Sequence, residues 1–147
     1  MNTKPDAAQS VQTLRWRDSH LEMIDQRILP DRFEYLHYSC AAEVAEGICS
    51  MVVRGAPAIG CAAAYGIALE ALALERASRE VFFAGLERAF GRLATSRPTA
   101  VNLFWALKHM RRVLEAIQQQ PLPEIAASLL REAHEVSAED VRINHAM

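Results

Sequence analysis

Two arginines, each placed just before a proline at the start of a predicted helix, are the residues whose types and spacing suggest chemistry. Arg54 opens the sequence RGAP, and Arg97 opens the sequence RPT. The N-terminus of a helix presents free N–H groups and a partial positive charge, which together bind anions. An arginine adds a fixed cation whose planar donors can contact a phosphate through two nitrogens. Each segment therefore predicts an anion site, and phosphate is the anion that fits it best.

The residues beside the two arginines agree with such a site. Gly55 lets the backbone bend close to a ligand, and Thr99 can cap the helix that follows Arg97. If the two helix ends converge, the guanidinium groups of Arg54 and Arg97 would form a phosphate clamp. The alternative remains open that these are two unrelated capped helices with solvated arginines, in which Gly55 serves only a turn.

The segment after Arg54 predicts the central helix of the fold. Pro57 is suited to the first turn of a helix, and Glu70 is the only charged residue between positions 57 and 74. A helix that is apolar on all sides is normally buried. A helical glycine costs about 0.8–1 kcal/mol relative to alanine, so Gly60 and Gly66 indicate places where neighbouring helices approach closely.

The remaining chain predicts an α+β fold. Alternating apolar residues predict three short strands, over residues 11–17, 21–29 and 33–38, joined by short turns into an antiparallel meander. After Ser39, a plausible N-cap, apolar residues recur in steps of three and four and predict a bundle of four to five helices. We expect residues 1–10 to be disordered, residues 11–38 to form the meander and residues 39–147 to be helical.

Charge and composition exclude several functional classes. A net charge of −2 gives no support to nucleic-acid binding through a general basic surface. The longest apolar run, residues 57–69, falls short of the ~20 residues that cross a bilayer. Residues 1–10 are polar and have no signal-peptide core. The three cysteines lack metal-ligand or redox spacing, which favours a reducing cytoplasm and predicts neither a metal nor a cofactor.

Other residues of chemical interest are predicted to be structural. The cysteines at positions 40, 49 and 61 are expected to pack in the interior. Tyr65 and Trp105 are expected to lie in the core or in a pocket wall. The histidines at positions 109, 134 and 145 lack ligand spacing. Residues 111–112 are expected on a solvated helix face and residues 25–27 on the exposed face of the sheet. No pair of a nucleophile and a base is evident.

Several sequence blocks together resemble one known family. The block MVVRGAPAIG at residues 51–60, continued by AAAYG at 62–66, resembles the signature of the family of methylthioribose-1-phosphate isomerase. The same family contains the α, β and δ subunits of eukaryotic initiation factor 2B. SRPTAVNL at 96–103 resembles its second signature, DQRILP at 25–30 an opening strand, and INHAM at 143–147 a segment that leads into a second half. The resemblance covers nearly the whole chain in the right order.

The resemblance implies an aldose–ketose isomerase of methionine salvage that converts 5-methylthioribose 1-phosphate into 5-methylthioribulose 1-phosphate. Its implied substrate contacts are Arg54, Gly55, Ala56 and Arg97, which agree with the anion site argued from the helix ends. Holding the phosphate would orient the sugar while its ring opens. The resemblance also suggests a homodimer for the full-length protein.

The resemblance also implies what this chain should lack. The family's catalytic cysteine and aspartate belong to a C-terminal Rossmann-like domain, and no cysteine here matches that motif. We therefore expect a fragment that is inactive alone and carries no catalytic residue. Three alternatives remain: an isomerase of another sugar 1-phosphate such as ribose 1,5-bisphosphate, a regulatory protein-binding subunit like those of initiation factor 2B, or a helical interaction domain without a ligand.

Overall fold

The fold is known from a computed structural model. It describes residues 14–17, 19–25, 27, 34–50, 56–98 and 100–146, and for helix residues 56–57 and 139–146 it describes the backbone alone. Residues 1–10, expected to be disordered, lie outside the described residues. None of the described helices combines the length and the apolar character that crossing a bilayer requires.

The predicted antiparallel meander is confirmed. Strands β1 (Leu14–Arg17), β2 (His20–Ile24) and β3 (Tyr35–Tyr38) form one sheet in the order β1-β2-β3. Trp16 lies opposite Leu21, and Leu21 lies opposite Tyr38. Ser19, in the turn between β1 and β2, has a φ of 64°, a conformation typical of tight turns. The second strand is shorter than predicted, because the strand ends at Ile24 rather than running to residue 29.

The expectation that residues 25–27 lie on the exposed face of the sheet is wrong for Asp25. This aspartate follows the end of β2 and is only 5 % exposed. Its carboxylate accepts hydrogen bonds from Arg27 Nε at 2.8 Å, Arg27 Nη2 at 2.9 Å and the Arg27 backbone N–H at 3.1 Å. A buried carboxylate needs such donors, so the hydrogen bonds from Arg27 compensate for the burial of Asp25 just after the end of β2.

The predicted helical bundle is confirmed, with five helices in the described residues. They are α1 (Ala41–Cys49), α2 (Ala56–Leu74), α3 (Arg79–Ser96), α4 (Val101–Ile117) and α5 (Leu122–Ala146). Their apolar positions recur at helical spacing and are buried, as Leu86 and Leu93 of α3 and Leu103 and Leu107 of α4 illustrate. Burial of each such side chain is worth about 1.5–3 kcal/mol.

Two helix starts differ from the prediction. The N-cap of α1 is Cys40 and not Ser39. The Ser39 backbone N–H instead donates to the Glu43 carboxylate at 2.7 Å, an arrangement close to one half of a capping box. Helix α4 has Ala100 as its N-cap and not Thr99, which lies outside the described residues. Ala100 brings no side-chain acceptor to the first N–H groups of α4.

Helix α2 is the centre of the bundle and packs against α1, α3, α4 and α5. Residues 59–69 are all buried, as the apolar segment predicted. Its lone charge has a structural partner: Glu70 Oε1 accepts a hydrogen bond from the Ala41 backbone N–H at 3.2 Å. A carboxylate at a helix N-terminus is favourable, so Glu70 ties the first turn of α1 to α2.

Candidate functional site

The first of the two predicted anion sites is described only in part. Arg54 and Gly55 lie outside the described residues. Ala56 is the first residue of α2, and Pro57 is therefore the second helical residue rather than the first. The backbone of Ala56 thus stands at the predicted helix N-terminus, where N–H groups have no intrahelical acceptor.

The second predicted site contains a guanidinium group with an unused donor. Arg97 directly follows α3, and its carbonyl oxygen accepts a hydrogen bond from the Ala100 N–H at 3.0 Å, which shapes the turn into α4. Its Nη1 atom is buried and has no hydrogen-bond partner among the described residues. An unsatisfied buried donor costs about 1–3 kcal/mol, and more when it is charged. Such a donor marks a place for an acceptor, and a phosphate oxygen would fit.

The starts of α2 and α4 lie against each other. Gly60, in the second turn of α2, faces the first turn of α4 so closely that a Cβ atom built on it would be 3.0 Å from the Asn102 carbonyl oxygen. The same Cβ would be 3.6 Å from the Cβ of Ala106. The chain therefore brings together two helix N-termini, one of which follows Arg97. Arg54 itself lies outside the described residues.

A second polar cluster, which the sequence did not predict, joins the sheet to the bundle. The Tyr65 hydroxyl lies 2.8 Å from His134 Nδ1. Trp16 stacks on Tyr65 with ring centroids 5.4 Å apart, and His134 meets both rings edge-on. Tyr65 is buried as expected, but no spacing rule connects it with a histidine far along the chain. We assign the cluster a structural role.

Two expectations about the remaining residues are wrong. Cys61 is buried as expected, but Cys49 is exposed. Trp105 is 57 % exposed, because it lies outside the buried stripe of α4, and stacks on His109. Arg111 lies at the surface, as expected, and there contacts Glu87 through two nitrogens at 2.7 and 3.0 Å.

The described residues offer no evident metal site. In the part of the chain that the structure describes, no three His, Cys, Asp or Glu side chains come together as ligands. His109 instead pairs with Glu132 at 2.6 Å between Nε2 and Oε2. The paired helix starts present backbone N–H groups, and Arg97 presents a guanidinium, which are groups that can bind anions.

Comparison with known proteins finds one matching family model and several similar enzymes. Residues 52–147 match the model of the initiation factor 2 subunit family. The chain is 64 % identical over its whole length to a methylthioribose-1-phosphate isomerase of Albidiferax ferrireducens, of which it covers 42 %. It is 49 % identical over 94 % of its length to a methylthioribose-1-phosphate isomerase of Syntrophotalea carbinolica, of which it covers 40 %.

Solved structures share the fold. A crystal structure of 5-methylthioribose 1-phosphate isomerase from Pyrococcus horikoshii OT3 matches 87 % of the chain with a TM-score of 0.83 and 42 % identity. The translation initiation factor eIF-2B subunit delta from A. fulgidus matches 90 % with a TM-score of 0.79 and 39 % identity. The chain covers 36 % and 38 % of those two chains, and so spans about two fifths of the length of its relatives. By sequence and by fold, the chain belongs to the initiation factor 2 subunit family.

Proposed function

We propose that this chain supplies the phosphate-binding part of an aldose–ketose isomerase that converts 5-methylthioribose 1-phosphate into 5-methylthioribulose 1-phosphate. The observation that carries the proposal is the buried Arg97 Nη1 atom, next to the start of α4, which has no hydrogen-bond partner in the part of the chain that the structure describes. The names of the relatives, which are methylthioribose-1-phosphate isomerases at up to 64 % identity, support the choice of substrate.

In this proposal the site consists of four residues and two helix N-termini. Arg97 and Arg54 contact the phosphate oxygens, and Gly55 and Ala56 bring the backbone of the α2 start close to them. The N–H groups at the start of α4 complete the cradle. A held phosphate keeps the sugar in place after its ring opens, which is a positioning contribution to the reaction.

We assign no proton transfer to a residue of this chain, and the proposal needs no cofactor. Isomerisation of an aldose to a ketose moves a proton between neighbouring carbons, which requires a positioned acid or base. The family resemblance places those groups in sequence motifs that this chain does not contain. We further propose that the protein acts as a homodimer in the cytoplasm.

The proposal can be tested by binding, which does not depend on turnover. Titration of the 147-residue chain with 5-methylthioribose 1-phosphate, followed by calorimetry and by amide chemical shifts, should give saturable binding. The shifted amides should cluster at the starts of α2 and α4. Arg97→Ala should weaken binding about 10- to 100-fold, because a hydrogen bond to a charged group is worth about 1.5–3 kcal/mol.

The matched control is Arg112→Ala, which removes an exposed arginine from the same fold. It should leave the dissociation constant unchanged. Absence of saturable binding to the unsubstituted chain would contradict the proposal, as would equal weakening by the two substitutions. In the latter case the attraction would be a general effect of positive charge rather than a site.

A second candidate function has one observation in its favour. The match to the eIF-2B subunit delta has a TM-score of 0.79, close to that of the isomerase, so the same fold also serves a translation factor subunit. A regulatory, protein-binding subunit has no reason to bind the sugar phosphate at Arg97. The titration therefore separates the two candidates. Competition with ribose 1,5-bisphosphate distinguishes an isomerase of that related substrate.

A further inference from the structure

We propose that Gly60 is a positioning residue that sets the distance between the two helix N-termini of the phosphate site. The inference rests on the proposed function and adds a residue that does not itself touch the phosphate. The quantity that Gly60 would set is the separation between the starts of α2 and α4.

The geometry at Gly60 differs from that at the other glycines of the bundle. A Cβ on Gly60 would meet a main-chain atom, the Asn102 carbonyl oxygen, at 3.0 Å. A Cβ on Gly66 would instead meet side chains, Leu93 at 3.2 Å and Val44 at 3.4 Å. Side chains can rotate away, but the Asn102 carbonyl belongs to the first turn of α4 and moves only with the helix.

The contact between Gly60 and Asn102 lies where a displacement of the helix starts would change the binding of a ligand. Asn102 is the second residue of α4, and Gly60 is the fifth residue of α2. A methyl group between them would therefore separate the helix starts themselves, together with the turn that carries Arg97. At 3.0 Å the Asn102 carbonyl must move by a few tenths of an ångström to admit a methyl group, and a misplacement of about 1 Å can cost about 100-fold in a positioned reaction. Because Gly60 has only a hydrogen atom in place of a side chain, the two helix starts can lie close enough together to contact one small anion.

The experiment compares phosphate binding by Gly60→Ala and Gly66→Ala. Both substitutions put a methyl group on the same buried helix, but only the first pushes against the start of α4. Inorganic phosphate and 5-methylthioribose 1-phosphate serve as probes, and urea unfolding measures the stability of each variant. We expect Gly60→Ala to raise the dissociation constant for both probes about three- to tenfold. Gly66→Ala should leave it unchanged, even if it costs as much stability.

Each outcome decides between specific explanations. Unchanged binding by Gly60→Ala would overturn the inference while leaving the proposed function intact. Equal weakening by the two variants would also overturn it, because general destabilisation would then explain the effect. If the unsubstituted chain binds neither probe, the proposed function fails first and the inference falls with it.

A second variant keeps the test decisive if Gly60→Ala does not fold. Ala106, whose Cβ lies 3.6 Å from the Cβ built at Gly60, can be changed to glycine in the same chain. The double variant Gly60→Ala with Ala106→Gly has room for the helices to stay packed, yet it keeps the methyl group against Asn102. It should fold and bind phosphate weakly. Binding as tight as that of Ala106→Gly alone would overturn the inference.

Discussion

The Tyr65 hydroxyl and His134 Nδ1 share a hydrogen bond of 2.8 Å, which joins the central helix α2 to α5. Burial raises the pKa of Tyr65 to about 12, so the hydroxyl keeps its proton at neutral pH. Burial lowers the pKa of His134, so its ring is neutral and can accept at Nδ1. With both groups neutral, one proton lies between them, and the tautomer of His134 decides which group donates it.

Stability should fall as the pH drops below the ordinary pKa of histidine, about 6.5. Because the pKa of His134 is lower in the folded chain than in the unfolded chain, the unfolded state binds more protons in that range. Protonation would also remove the acceptor for Tyr65. Urea unfolding of the unsubstituted chain and of His134→Gln between pH 5 and 8 should give free energies that converge toward acid pH. A constant difference between them would contradict this coupling.

Replacing Tyr65 with phenylalanine should lower the free energy of unfolding by about 1 kcal/mol, the usual net value of one hydrogen bond. The ring and its stacking on Trp16 would remain. The part of the pH dependence that His134 contributes through its acceptor role should weaken in the same variant. Urea unfolding at pH 7.5 measures the first effect. A variant as stable as the parent would show that the hydroxyl contributes nothing net.

Removing one partner of the Asp25–Arg27 pair should cost more stability than removing both. Arg27→Ala leaves a carboxylate, whose side chain is only 7 % exposed, with fewer donors. A double variant that combines Arg27→Ala with Asp25→Asn also removes the negative charge that needs those hydrogen-bond donors. We therefore expect the urea midpoint of the double variant to lie above that of Arg27→Ala. A double variant whose loss equals the sum of the single losses would show that the two side chains act independently.

The sequence allowed prediction of those features that local periodicity determines. Alternation predicted the meander, and the three-to-four spacing of Leu103 and Leu107 predicted the buried stripe of α4. The same spacing leaves Trp105 off that stripe and therefore predicts its exposure. The expectation of burial came from the residue type, which the position in the helix overrides. Asp25 was misplaced because β2 ends at Ile24 rather than at residue 29, and because hydrogen bonds from Arg27 allow its carboxylate to be buried.

The tertiary parts of the candidate site were beyond prediction from the sequence. The chemistry of Arg97 could be read from its position before a proline and a helix. That Gly60 meets the start of α4 depends on how α2 and α4 cross, and no local pattern specifies a crossing. The bond between Tyr65 and His134 has the same origin, since it joins two helices that are distant in sequence.

Gly91→Ala should stabilise the chain, whereas Gly85→Ala should not. Nothing lies within 4 Å of a Cβ built on Gly91, in the middle of α3. Alanine there gains about 0.8–1 kcal/mol of helix propensity, which corresponds to roughly 2–4 °C in Tm. A Cβ on Gly85 would overlap the Leu74 side chain, so repacking offsets the same gain. Thermal unfolding compares the two variants, and a lower Tm for Gly91→Ala would contradict the open space beside it.

Arg97→Met should raise the free energy of unfolding while weakening phosphate binding about 10- to 100-fold, as Arg97→Ala does. Methionine keeps much of the side-chain volume but removes the buried Nη1 donor that lacks a partner among the described residues. Removal of an unsatisfied buried donor should raise the free energy of unfolding by about 1 kcal/mol. Such a gain is typical of residues that contribute to ligand binding at a cost to stability. Urea unfolding without phosphate measures the gain, with the exposed Arg112→Met as the control that should change neither property. A fall in stability for Arg97→Met would mean that the guanidinium serves the fold itself, and the case for a phosphate partner would lose its main support.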